Sequence, residues 1–228
     1  MLDAVLLEWE GVLADTGSAR RDAMLSALSD AGVPWTAAAY DACCSGLDVH
    51  GSAAAALAHA GRDDATLGDL VALRASRTFA DRLSRGFSLR PGAAQFVAAA
   101  EASSRVAIVT RSTRAEAEIA LRLAGLDGAI AAIVTADDVL DRPPAPALYA
   151  HALEHLRRRR VARDRYVVAM VDSAPAVRSA HGAGVRPLAV GAPAEVAAEA
   201  GAAVDGLPGL TVQRIASLMG VERMVSRP

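Results

Sequence analysis

Residues Asp3-Ala4-Val5-Leu6-Leu7-Glu8-Trp9-Glu10-Gly11-Val12-Leu13-Ala14-Asp15-Thr16 decide the fold. They open on a short, nearly all-apolar run, residues 3–7, which ends at two acids one residue apart and a glycine. An apolar run without polar alternation reads as a parallel strand covered on both faces. Working outward, similar runs recur at residues 106–110, 132–135, 166–171 and 188–190. Helix signals lie between them. Thr113 and Glu116 have capping-box spacing ahead of a run that ends at Gly125. Pro193 suits a first helical turn and Gly201 a helix C-terminus. Strands alternating with helices predict an α/β fold with a doubly wound parallel sheet.

One stretch breaks the alternation. Residues 17–86 carry only helical patterns rich in Ala and Leu, punctuated at residues 32–34, 46–51 and 61–64. The expected organisation is a core of residues 1–16 and 87–220, a helical cap of residues 17–86, and a loose tail of residues 221–228. Arg90-Pro91-Gly92 reads as the turn that returns the chain to the core.

Composition narrows the function classes. The chain has 228 residues, 53% hydrophobic and 22% charged, with a net charge of −2. That balance offers no field for nucleic acid or an anionic membrane. Alanine supplies 54 residues, which favours helix. No apolar run approaches the roughly 18 residues of a membrane span. Asp3, with no basic segment near it, does not read as a secretory signal, so a cytoplasmic location is expected. The adjacent Cys43 and Cys44 are expected to be reduced, half-buried helix residues. Lysine is absent; all 24 basic residues are arginine. Schiff-base, P-loop lysine and lysine general-base chemistry are thereby excluded.

Ligands of open parallel sheets bind beyond the carboxyl ends of the strands. The loops there hold Glu8 and Glu10, then Thr110-Arg111-Ser112, then Asp172-Ser173. Two acids, a hydroxyl and a third acid are a set that could hold a hard cation facing a phosphate.

These stretches resemble the motifs of the haloacid dehalogenase-like (HAD) hydrolase superfamily, in the branch with a helical cap after the first strand (phosphoglycolate phosphatase and β-phosphoglucomutase-like). The first motif, D-x-D-G-V-L-x-D-T, matches residues 8–16 except at both leading acids. Thr110 matches the second. The third, G-K-P-x-P-D-x-Y, aligns with Arg142-Pro143-Pro144-Ala145-Pro146-Ala147-Leu148-Tyr149. The fourth, E-D-S, aligns with Val171-Asp172-Ser173 and runs on to Ala183-Gly184. Four ordered motifs spanning nearly the whole chain are far more specific than any one of them.

The resemblance implies a HAD-like Rossmannoid core and Mg²⁺-dependent hydrolysis of a small phosphate ester through an acyl phosphate. Glu8 would attack, Glu10 would act as acid/base and Thr110 would hold phosphate. Arg111, Ser112, Arg142 and Arg20 would meet the substrate. Glu8, Glu10 (through its carbonyl) and Asp172 would hold the metal. The departures fall on the chemistry, however. Both catalytic aspartates are glutamates, although the chain has 17 Asp and only 9 Glu. Proline stands at the lysine position, and Val171 replaces an acid. A methylene added to a nucleophile shifts its oxygen by about 1 Å, and such a displacement can cost about 10²-fold. The expectation is therefore weakened or lost catalysis, with Mg²⁺ bound weakly or not at all. The alternative is a catalytically silent domain that binds a ligand or a protein in the old cleft. The sequence leaves substrate, physiological partner and oligomeric state open.

Two rival motifs read as surface features. His151, Glu154 and His155 spell H-x-x-E-H, a zinc spacing, but on a flanking helix with no third ligand in view. The arginines at 157–160, 163 and 165 suit a helix C-terminus better than a nucleic-acid contact. Asp15 and Thr16 are expected to cap the hinge into the helical insert.

Overall fold

A computed structural model describes residues 2–44, 46–141, 146–158 and 166–221. In chain order, β1 (Ala4–Glu8) is followed by a two-residue strand, β2 (Ala14–Asp15), and by four helices: α1 (Gly17–Asp30), α2 (Ala37–Cys43), α3 (Val49–His59) and α4 (Ala65–Ser84). The chain returns through β3 (Ser88–Leu89) to α5 (Ala93–Glu101), β4 (Arg105–Val109), α6 (Arg114–Leu123), β5 (Ala132–Val134) and α7 (Ala147–Arg158). It ends with β6 (Val167–Val171), α8 (Ala174–Gly182), β7 (Arg186–Val190), α9 (Ala194–Ala200), β8 (Ala203–Val204) and α10 (Val212–Leu218).

Six strands form one sheet in the order β5-β4-β1-β6-β7-β8, every pair parallel. Period-two alternation sends Val5, Leu7, Ile108 and Met170 to one face, against α5, α6 and α10. Ala4, Leu6, Ala107, Val109 and Ala169 go to the other, against α7, α8 and α9. Both faces are buried, which is why the runs read as continuously apolar. The strands of β2, β3 and β8 escaped the sequence reading because two residues carry no periodicity.

Helices α1–α4 enclose an apolar cluster of their own, with Met24, Leu28, Tyr40, Leu57 and Val71 among its members. Helix α4 serves two clusters. Val71, Ala72 and Ala75 point into this helical unit, while Phe79 and Leu83, lower on the same helix, join the core beneath β1. Strands β2 and β3 pair antiparallel, Asp15 opposite Ser88, so the chain leaves and re-enters the core at one place.

The capping box at Thr113 and Glu116 is present at the start of α6. Other expectations shift. Gly51 lies inside α3, whose N-cap is Asp48, so the break ends sooner than the glycines suggest. Pro193 is the N-cap of α9 and not its first helical residue. The cysteines are not both half-buried helix residues: Cys43 ends α2 and is exposed, whereas Cys44 is its buried C-cap, its thiol pushed up to about 11 by burial. Among the described residues no helix is long and apolar enough to cross a membrane. Residues 222–228, in the expected tail, lie outside the described residues.

Candidate functional site

Strand β1 sits between β4 and β6, with Glu8 in register with Val109 and Leu7 with Met170. One residue beyond Val109 stands Thr110, and two beyond Met170, past Val171, stands Asp172. Adjacent parallel strands thus deliver Glu8, Thr110 and Asp172 to one end of the sheet. There they line a cavity of about 260 Å³ together with Glu10, Gly11, Arg90, Arg111 and Tyr149.

Gly11 sets how closely the first loop approaches the fourth. Its φ is +81°, which glycine adopts without steric cost, and a Cβ built there would overlap the Asp172 carboxylate. The Asp172 backbone N–H in turn donates to Glu8 Oε2 at 3.3 Å. Burial pushes the Glu8 carboxyl well above its usual range, and the neighbouring Asp172 charge adds to this; Arg111 opposes it. Burial likewise raises Asp172, against the pull of Arg111 and Arg90. The Tyr149 hydroxyl is buried beside Glu8 without a well-aligned hydrogen bond among the described residues, and burial and Glu8 hold it strongly protonated.

Glu10 has the opposite surroundings. Its side chain is 9% exposed and ion-paired with Arg20 of α1, whose Nε donates to Oε1 at 2.5 Å. Ser112 Oγ donates to the same oxygen at 3.2 Å, and Thr110 Oγ1 reaches Oε2 at 3.4 Å. Arg111 Nε lies 3.6 Å from Oε2. Burial alone would raise this carboxyl, but Arg20 and Arg111 outweigh it and hold it below the usual range.

Arg20 does not reach the cavity. It is 6% exposed, packed over the Phe79 ring at 4.0 Å, and contacts Glu116 Oε2 at 3.3 Å and the Ser112 hydroxyl. Ser112 is buried behind the cavity wall; its N–H donates to Thr110 Oγ1. Arg111 does line the cavity, and it donates to the Leu47 carbonyl of the helical unit at 3.3 Å. Arg142 and the proline at 143 lie outside the described residues. Asp15 forms part of β2 and lines the cavity, while Thr16 is the N-cap of α1 with its hydroxyl buried and making no cap bond.

Arg90 and Tyr149 line the cavity, and neither was expected to from the sequence. Arg90 donates from Nε to the Gly11 carbonyl at 3.1 Å. It stood in plain view in the Arg-Pro-Gly turn, and the pairing of β2 with β3 is what carries that turn to the cavity. Tyr149 closes the third motif, one helical turn into α7.

The donors for Mg²⁺ are few. Val171 is fully buried in the sheet, and the Glu10 carboxylate is turned to Arg20. Among the described residues no three His, Cys, Asp or Glu side chains gather closely enough to hold a metal. Glu8, the Glu10 carbonyl and Asp172 line the same cavity and are the oxygens that would hold Mg²⁺, an ion that takes one or two carboxylates and completes its shell with water or a phosphate. The His151–Glu154–His155 triplet is no metal centre either: His151 is exposed, and Glu154 pairs with Arg157 and Arg158.

A parallel sheet whose loops after β1, β4 and β6 meet at its carboxyl edge, with a helical unit inserted after β1, is an architecture of known kind. A family model described as haloacid dehalogenase-like hydrolase matches residues 2–183, and the chain belongs to that family. CbbY from Rhodobacter sphaeroides, solved in complex with phosphate, is 26% identical, covering 92% of this chain and 96% of its own, with a TM-score of 0.80. β-Phosphoglucomutase (pgmB) from Clostridium difficile is 15% identical over 96% of this chain and 98% of its own, with a TM-score of 0.85. A predicted phosphoglycolate phosphatase from Haemophilus somnus 129pt is 15% identical over 90% and 95%, with a TM-score of 0.76. The last two share the fold. Among curated protein sequences, none matches.

Proposed function

We propose that this chain is a HAD-like domain whose phosphoryl-transfer chemistry is lost or nearly so, and whose cavity still receives a small phosphorylated molecule. Residues 17–86 act as its cap, and Arg111 with Thr110 would meet the anionic group. The phosphate bound to CbbY supports the ligand class.

One observation carries the reading: the Glu10 carboxylate is committed to Arg20. A general acid must hold a proton near the operating pH and reach the leaving group. Glu10 is held ionised below the usual carboxylate range, with one oxygen on a buried guanidinium. Glu8 adds to the loss by its length, since one methylene more than the family's aspartate moves the attacking oxygen by about 1 Å.

Turnover of a panel of phosphate monoesters, p-nitrophenyl phosphate included, tests this with wild type and Glu8→Ala. The expected result is negligible turnover in both. Rapid hydrolysis by wild type, abolished in Glu8→Ala, would overturn the proposal. Glu8→Asp alone is expected to recover little. Combining Glu8→Asp, Glu10→Asp, Pro143→Lys and Val171→Glu should recover more than any single change, because such groups act as a unit.

A further inference from the structure

The buried charges around Glu10 come from both halves of the molecule. Arg20 belongs to the first helix of the insert; Glu10, Ser112 and Glu116 belong to the core. Glu116, only 1% exposed, accepts from Arg20 through Oε2 and from the Ser76 hydroxyl of α4 through Oε1 at 2.5 Å. The same Oε2 caps the Thr113 N–H at 3.1 Å, which fixes the carboxylate to the start of α6. On the other side of Glu10, Arg111 runs the opposite way, from the core to the Leu47 carbonyl of the insert. Glu10 therefore lies between a cation reaching down and a cation reaching up. Phe79 completes the arrangement: it stacks on Arg20 and buries its ring in the core cluster.

From this geometry we infer that Glu10 is the keystone of a latch that holds the helical insert closed over the cavity without any ligand. Opening the insert would pull Arg20 off Glu10 and Glu116, leaving Glu116 without a cation and Glu10 with Arg111 alone. It would also expose Phe79 and break the Ser76 and Leu47 contacts. Arg20, Ser76 and the Leu47 carbonyl keep these partners only while the insert is down, whereas the contacts of Glu10 with Ser112 and Thr110 stay within the core. The latch stands on its own, whether or not phosphoryl transfer survives.

Amide hydrogen exchange at the hinge tests it, because β2 and β3 pair only by Asp15 against Ser88 and Ala14 against Leu89. In the wild-type protein the amides of Ser88 and of Arg90, which donates to the Leu13 carbonyl at 2.8 Å, are expected to be protected, and saturating inorganic phosphate should change their rates less than twofold. Glu10→Gln keeps the shape and removes the charge; it should speed exchange there at least tenfold while β1 and β6 stay protected. Arg20→Met should do the same, and Ser76→Ala a smaller part of it. A hinge that exchanges freely in the wild type and becomes protected only with phosphate would overturn the latch. So would Glu10→Gln leaving hinge exchange unchanged. Should Arg20→Met fail to fold, Glu10→Gln and Ser76→Ala decide the matter alone.

Discussion

Glu8 and Glu10 are separated by one residue, yet their carboxyls are driven in opposite directions. Glu10 meets Arg20, Arg111 and two hydroxyls, and stays ionised although nearly inaccessible to water. Glu8 meets Asp172 and the Tyr149 hydroxyl, with Arg111 as a partial counterweight, and its charge is disfavoured. The difference lies in what the next layer supplies. Arg20 reaches Glu10 because α1 begins just beyond β2, whereas Glu8 ends β1 beside the Asp172 that follows the neighbouring β6. Burial penalises both acids; only for Glu10 do the neighbouring cations outweigh it.

The sharpest way to break this contrast is to remove the compensation. Arg20→Met leaves Glu116 buried without a cation and Glu10 with Arg111 alone, and breaking a buried pair from one side costs about 3–5 kcal/mol. Chemical denaturation should show a loss of that order. Adding Glu10→Gln and Glu116→Gln to Arg20→Met should restore a large part of it. If the triple variant is as unstable as the single one, packing of Arg20 on Phe79 outweighs its charge.

Gly11→Ala acts on the other side of the contrast. The Cβ would meet the Asp172 carboxylate, and the residue would be held at positive φ. The expected loss is about 1–3 kcal/mol, the range for one strained backbone position. Gly11→Ala in an Asp172→Ala background should lose less than in the wild type, which separates the overlap from the backbone strain. Equal losses in both backgrounds would assign the whole effect to φ.

The smallest effect is a matter of pH. Because Glu8 is raised in the folded state, its contribution is present below the unfolded carboxylate pKa of about 4.3 and is lost as pH rises through the folded value. Glu8→Gln should therefore stabilise the protein at pH 7 in metal-free buffer, and the gain should vanish below about pH 4. Thermal unfolding at the two pH values checks both the sign and its disappearance. Glu10→Gln should behave the other way, costing stability at pH 7, since its carboxyl is lowered.

How much of this was legible beforehand follows from which forces act locally. The strand runs, the long helical stretch and the capping box at Thr113 rest on neighbours in sequence, and they could be read directly. So could the meeting of Glu8, Thr110 and Asp172, because parallel strands put their ends side by side. Arg20 could not be placed that way. Arginine is rarely buried, so the default is a solvated side chain, and its partner Glu116 lies 96 residues along the chain. The one local hint was its position one helical turn past Thr16, on a helix that starts beside the acids. Tyr149 was visible as the last residue of a motif, but its hydroxyl gained meaning only beside Glu8. Arg90 looked like part of a turn until β3 paired with β2.

That pairing has an architectural consequence. Asp15 and Ser88 face each other across one strand spacing, about 5 Å, so everything between them is an appendage attached at a single seam. A seam of that width makes the insert a natural cassette: a tight reverse turn spans the same gap, and so does any other unit whose ends emerge side by side. The exchange is not free of conditions. Phe79 and Leu83 of the insert are part of the core cluster on one face of the sheet, so a replacement cassette must bring two apolar side chains of its own to complete it.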